Sequence, residues 1–295
     1  MPTHGTFASM HDDIRAALAR HLPGHADAPV VPLGAGLDNV AYEVGGDLVL
    51  RRSRDEDPGE RLAAARREAA LLTAVAAVSS LPVPEPVFVD EPTALIAYRK
   101  LPGAPLHLNP VADPAALAAD LAEFLSGLHT ALDDGDSPLS ALAEVDDTPG
   151  EEWLTDAKAS YETAAAVIAP ADRGRVEAFL AAPPPGPPRR LTFCHNDLGA
   201  EHLLVDGASI TGVIDWTDAA IADPAVDLSR LYRDLGPDVV ERVVARYGGD
   251  ADAVGPERVA FYARCALLED IAYGVESGAE EYARLGLAHL DRTFG

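Results

Sequence analysis

The sequence predicts an α+β protein of two lobes, a small antiparallel sheet with a helix followed by a larger, mainly helical lobe. Three observations carry this. Short apolar strands alternate with glycine turns before residue 103, one helix-period stretch lies among them, and apolar stripes at three- and four-residue spacing fill the chain beyond it. The 295 residues, 48% of them hydrophobic, are enough to bury two cores.

The elements follow in order. Asp12 to Leu22 reads as a short helix, ended by Pro23, Gly24 and Pro29. Val30 to Leu33, Val40 to Val44 and Asp47 to Arg51 read as strands, the last two joined at Gly45-Gly46, a pair suited to the positive φ angles of a hairpin turn. Glu60 to Val78 is helical, with Leu62, Ala65, Ala69, Leu72 and Ala76 in one stripe, and Pro82, Pro84 and Pro86 stop it. Val87 to Val89 and Ala94 to Tyr98 complete the sheet. Leu101-Pro102-Gly103 is a punctuated crossing, so the predicted domains are 1–102 and 103–295. Beyond it, Asp113-Pro114 makes an N-cap and N1 pair before the stripe Leu117, Leu121, Phe124, Leu125 and Leu128. The segment after Asp223 reads as three or four helices separated at Gly236, Gly248-Gly249 and Gly278.

Charge and composition exclude several classes. Twenty-three basic against 48 acidic residues give a formal charge of -25, which repels a phosphate backbone, so nucleic acid is not an expected partner. No run reaches the roughly 18 apolar residues a membrane span needs. Two cysteines, Cys194 and Cys265, offer no disulfide framework, and the N-terminus lacks the order of a signal peptide, so the expected location is the cytoplasm. A nucleotide would have to find its positive charge locally, in Arg51, Arg52, a metal ion and backbone N–H groups.

The chemistry concentrates in residues 191–216. Two apolar strands, His202 to Val205 and Ile210 to Ile214, flank Asp206-Gly207, a strong hairpin signal. In such a hairpin the start of the first strand and the end of the second share one open end, which draws His202 toward Asp215 and the loop bearing Asp197. Two carboxylates and an imidazole suit a divalent ion and a proton acceptor.

His195-Asn196-Asp197, His202 and Ile214-Asp215-Trp216 resemble the catalytic loop and metal motif of the aminoglycoside phosphotransferase family, kin of protein kinases, and are closest to its 2″-aminoglycoside and macrolide subgroups. The resemblance runs from about Leu33 to Arg233 and implies a protein-kinase-like fold and a phosphotransferase with an alcohol group as acceptor. It implies Asp197 as catalytic base, Asp215 and His202 as Mg²⁺ ligands, and ATP or GTP as donor. It implies Arg51 on the phosphates, paired to Glu68, a turn at Gly34 and Gly36 over them, and backbone groups from Tyr98 to Lys100 and Leu101 toward the base. Two departures stand out: arginine replaces the usual lysine at Arg51, and histidine replaces the usual asparagine at His202.

The residues also admit plainer readings. Glu68 could pair with Arg61 or Arg67 as a boundary residue, His202 could be a hydrogen-bonded core histidine, and Gly34 and Gly36 could only shape a hairpin. His195 reads as a brace, and Asp223-Pro224 and Asp227 as supports of the catalytic loop. A zinc site of Cys194, His195 and His202 lacks a structural-zinc spacing. The expected acceptor is a small hydroxylated molecule beside Asp197; Asp218, Glu269, Asp270 and Glu276 would suit a cationic one, such as an aminoglycoside, and antibiotic resistance is a role that the resemblance implies. The alternatives are a macrolide, choline, homoserine or sugar kinase, and a non-catalytic nucleotide sensor.

Overall fold

The computed structural model describes residues 4–35 and 39–295, which form two compact units: Met1–Gly103 with Thr211–Thr217, and Ala104–Ile210 with Asp218–Gly295. The expected boundary after residue 102 thus falls after 103, and a seven-residue segment assigned by sequence to the second lobe belongs to the first. Its backbone explains the transfer. Val213 N–H donates to the Pro82 carbonyl at 2.9 Å, Thr211 Oγ1 donates to the Pro102 carbonyl at 2.7 Å, and Gly212 packs on Leu101.

In the first unit, helix α1 (His4–His21) precedes strands β1 (Val30–Ala35), β2 (Asn39–Val44) and β3 (Leu48–Ser53), helix α2 (Pro58–Ala76), and strands β4 (Pro86–Asp90) and β5 (Leu95–Arg99). The five strands form one antiparallel sheet of order β1-β2-β3-β5-β4. Alternation sorts the side chains of β3: Leu48 and Leu50, with Leu95 and Ala97 of β5, pack on Met10, Ile14, Ala17 and Leu18 of α1. Arg51 and Tyr98 therefore project to the other side, and there Arg51 meets Glu68 of α2. Helix α2 begins two residues before the expected start because Asp57 caps it, its carboxylate accepting from Gly59 and Glu60 N–H, with Pro58 at N1. At the sheet's far edge Asp90 is fully buried and holds Arg20 and His21 of α1.

The second unit begins with β6 (Ala104–Pro105), then α3 (Ala118–Thr130), α4 (Leu139–Leu142), β7 (Glu144–Val145), α5 (Gly150–Ala164) and α6 (Pro170–Ala181). The stripe expected of α3 is buried in full: Leu117, Leu121, Phe124, Leu125 and Leu128. Strands β8 (Thr192–Cys194) and β9 (Leu203–Asp206) bracket the catalytic-loop sequence, and the turn at Gly207, φ +60, leads from β9 into β10 (Ser209–Val213). β9 pairs with β6, and β11 (Ala220–Ala222) lies between β7 and β8. Four helices close the chain: α7 (Ala225–Leu235), α8 (Pro237–Val244), α9 (Pro256–Ser277) and α10 (Glu280–Phe294). Gly236 (φ 94) and Gly278 (φ 74) end α7 and α9 in conformations that favour glycine. α9 and α10 approach so closely that a Cβ on Gly274 would lie 2.3 Å from the Ala283 nitrogen.

Candidate active site

In the first unit one guanidinium organises the predicted residues. Arg51, 8% exposed, donates to Glu68 Oε1 at 3.1 Å, to Asp215 Oδ1 at 2.9 Å and to Thr217 Oγ1 at 2.7 Å, while Thr217 donates to Asp215 Oδ1 at 2.8 Å. Burial works against the charge of Arg51, but Glu68 and Asp215 outweigh it and hold the guanidinium ionised more firmly than usual. Burial pushes the Glu68 carboxyl up, and Arg51 opposes that push. Tyr98 sits in the same field; burial, then Glu68, drive its phenol well above the ordinary range. Asp215 takes φ 60, a left-handed conformation uncommon for a residue with a side chain and concentrated at functional sites.

The expectations at the sheet's edges resolve differently. The Lys100 ammonium pairs with Glu43, and its N–H donates to the Asp47 carbonyl at 3.0 Å, so this N–H serves the β2–β3 turn and not a nucleotide base. Gly34 lies in β1 beside an irregularity of register between Pro32 and Gly34, and among the described residues an added Cβ would meet nothing within 4 Å. Crowding within the protein does not demand glycine there. Gly36 lies outside the described residues.

In the second unit the loop between β8 and β9 is gripped from below by Asp227, fully buried in the first turn of α7. Its Oδ2 accepts from His195 N–H at 3.0 Å and its Oδ1 from Asn196 N–H at 2.7 Å, while His129 Nε2 lies 3.0 Å from Oδ2 and His129 Nδ1 lies 2.7 Å from the Tyr247 hydroxyl. Asn196, held at φ 69 and donating to Asp146, turns the chain so that Asp197 leaves the loop. His195 is the expected brace, its Nδ1 accepting the Asp197 N–H at 3.3 Å.

His202 precedes β9 instead of opening it. Its Nδ1 lies 2.7 Å from the Asp197 carbonyl, which can only accept, so Nδ1 carries a proton, and in the neutral form of such a ring the lone pair falls on Nε2. That tautomer fits a metal ligand; in the first unit, taken by itself, the Asp215 carboxylate offers oxygens of the hard kind that Mg²⁺ takes. Among the described residues, Asp197, Glu201 and His202 also offer ligand atoms within 4.8 Å of one another. Cys194 groups instead with buried His129 and Asp227, and burial, then Asp227, push its thiol far up.

The acceptor residues separate. Asp270 gives its carboxylate to Arg233 at 2.7 Å, so it is not an open anion; Arg233 also binds Asp234 and Glu201. Glu269 and Asp218 are exposed, and Glu276 accepts from Thr163 Oγ1 at 2.9 Å. The tyrosines Tyr273 and Tyr282, 39% and 45% exposed, meet edge to face at 5.2 Å. Sequence reasoning missed Thr217, Glu201, Arg230 and His129. Arg230, one helical turn after Asp227 and with its Nε 3.4 Å from Asp197 Oδ1, was findable from that spacing; His129 was not, lying 98 residues from its carboxylate.

The family described as "Phosphotransferase enzyme family" matches residues 29–262. Viomycin phosphotransferase of Streptomyces vinaceus is 34% identical over 206 residues, covering 68% of this chain and 70% of that protein. Among solved structures, the GDP and kanamycin complex of APH(2")-IIia aligns with a TM-score of 0.72 at 22% identity, over 94% of this chain and 97% of that one. The macrolide 2'-phosphotransferase MphH from Brachybacterium faecium aligns with a TM-score of 0.59 at 26% identity, over 95% and 98%. The expected kinase-like α+β fold is thereby found along nearly the whole chain.

Proposed function

We propose, from the premise that the chain belongs to the phosphotransferase enzyme family, that it is a kinase carrying the γ-phosphoryl group of ATP or GTP to a hydroxyl of an aminoglycoside-type antibiotic or of viomycin. The phosphotransferase class is common to the family; donor and acceptor are our reading. Its main support is Asp197, a half-buried carboxylate on a loop fixed by Asp227, flanked by Arg230 and His202.

In this reading Asp197 takes the proton of the acceptor hydroxyl as its oxygen bonds to the γ-phosphorus, and the nucleoside diphosphate leaves. Asp215 and His202 would hold the Mg²⁺, which supplies charge neutralisation on the phosphates. Arg51, kept in place by Glu68, would turn from Asp215 toward those phosphates, and Tyr98 would line the nucleotide side. Glu269 and Asp218 remain the acidic groups suited to a cationic acceptor; Asp270 would act on it only through Arg233. The exposed Tyr273 and Tyr282 with Val275, 40% exposed, favour a second reading, an acceptor with a larger apolar face such as a macrolide.

The test is phosphoryl transfer by purified protein with Mg²⁺ and ATP or GTP, offered viomycin, kanamycin, a macrolide, choline and homoserine, with Asp197→Asn as control. A phosphorylated antibiotic, absent with the variant, is the expected result. Transfer only to choline or homoserine would replace the antibiotic reading, and nucleotide binding without Asp197-dependent transfer would favour a sensor.

A further inference from the structure

The loop His195-Asn196-Asp197-Leu198-Gly199-Ala200-Glu201-His202 contains no lysine or arginine. A phosphoryl group delivered there meets the Asp197 carboxylate with no cation from the loop itself. Two arginines of α7 lie within reach, and they are employed differently. Arg233 is fully engaged, with Nε on Asp234, one terminal nitrogen on Asp270 and the other on Asp234 and Glu201. Arg230 has a buried Nε without a hydrogen-bond partner, and the same atom lies 3.4 Å from Asp197 Oδ1. Its side chain is 12% exposed, and its charge also reaches Asp270 and Cys265 of α9, so the guanidinium is confined between α7, α9 and the loop.

The two oxygens of Asp197 therefore stand in unlike surroundings. Oδ1 faces a permanent cation. Oδ2 lies 3.5 Å from His202 Nδ1, whose proton is committed to the Asp197 carbonyl. We infer that Arg230 is the positioning residue of the base: it holds Oδ1 of Asp197 and so leaves Oδ2 to receive the acceptor proton. This rests on Asp197 being the base. As the acceptor O–H bond breaks, its proton goes to Oδ2, the oxygen bonds to the γ-phosphorus, and the bridging P–O bond to the departing nucleoside diphosphate breaks. Through the step the guanidinium keeps the carboxylate from rotating toward the helical wall.

The inference is tested with Arg230→Gln and Arg230→Lys, using viomycin and kanamycin as acceptors and ATP and GTP as donors. Gln keeps length and polarity without charge; Lys keeps charge without the planar fork. Misplacement of the base by about 1 Å predicts a kcat about 10- to 100-fold lower in Arg230→Gln, partial rescue by Lys, and an unchanged nucleotide KM. A kcat within about twofold of the parent in Arg230→Gln, or equal activity of the Gln and Lys variants, would overturn it, while loss in Asp197→Asn would leave the functional reading standing. A substrate-free arm reads the contact itself: thermal unfolding of Arg230→Gln, Asp197→Asn and the double variant. Non-additive shifts are expected, and strictly additive ones overturn the contact whether or not either antibiotic is phosphorylated.

Discussion

Asp227→Ala removes the group on which the catalytic loop hangs, and its cost follows from the geometry. The buried carboxylate accepts two main-chain N–H groups, from His195 at 3.0 Å and Asn196 at 2.7 Å, and faces His129 Nε2 at 3.0 Å. Each buried donor left without an acceptor costs about 1–3 kcal/mol, so the two amides together predict a loss of about 2–6 kcal/mol. Against a total of about 5–15 kcal/mol for a typical fold this is a large fraction. Asp227→Asn keeps the shape but offers one acceptor oxygen, so about half the loss is expected. Catalysis should fall further than stability, because the φ 69 turn at Asn196 aims the next residue, Asp197, and a displacement of about 1 Å costs about 10²-fold. Urea titration followed by circular dichroism measures the first quantity and kcat at saturating substrates the second. A loss in Asp227→Ala below about 1 kcal/mol would mean that the two amides do not depend on this carboxylate, since it is less than the lower bound for two orphaned donors.

Other outcomes follow from separate parts of the molecule. Burial raises the Asp90 carboxyl, but hydrogen bonds from Arg20, Thr93 and His21 win and hold it at about 2; stability contributed by its ionised form is present above pH ~4 and is lost as pH falls toward 2, and Asp90→Asn should flatten that acid limb in Tm measurements. Burial pushes Asp270 up to about 7 despite Arg233 and Arg230, so the folded state keeps a proton that the unfolded chain releases above pH ~4; Tm should fall as pH rises to 7, and Asp270→Asn should lose that slope. Gly274→Val would press a side chain into the Ala283 backbone and should cost about 1–3 kcal/mol in denaturant titration, whereas the same change at Gly34, where none of the described residues lies within 4 Å of an added Cβ, should leave stability nearly unaltered.

Local periodicity made the fold legible. The hairpin at Gly45-Gly46, the buried stripe of α3 and the glycine stops at Gly236 and Gly278 all express short-range rules, and each appears where the pattern put it. Asp197 and Asp215 stood out as candidates because each sits in a short motif, and Glu68 because it lies in the first long helix. What escaped were partners chosen by tertiary packing. His129 is one polar residue in a leucine stripe, and nothing nearby announces that its imidazole will face Asp227. Likewise the sequence displays Asp270 as an acid for a ligand, and only the fold reveals Arg233 already upon it. Helix starts were missed for a simpler reason: the Asp57-Pro58 cap lies ahead of the first apolar residue of the stripe.

The segment Thr211–Thr217 gives the first unit a peculiar chronology. A ribosome finishes residues 1–103 early, yet the piece that bonds Pro82 and Pro102 and brings Asp215 to Arg51 emerges more than a hundred residues later. Until then Glu68 is the one carboxylate among the described residues of that unit that Arg51 holds, and the Pro82 and Pro102 carbonyls lack the donors that Val213 and Thr211 later bring. Order of synthesis and order of completion are thus reversed for this unit. A gene fragment cut after codon 103 would encode all five strands of its sheet and still lack the residues that finish its charged centre.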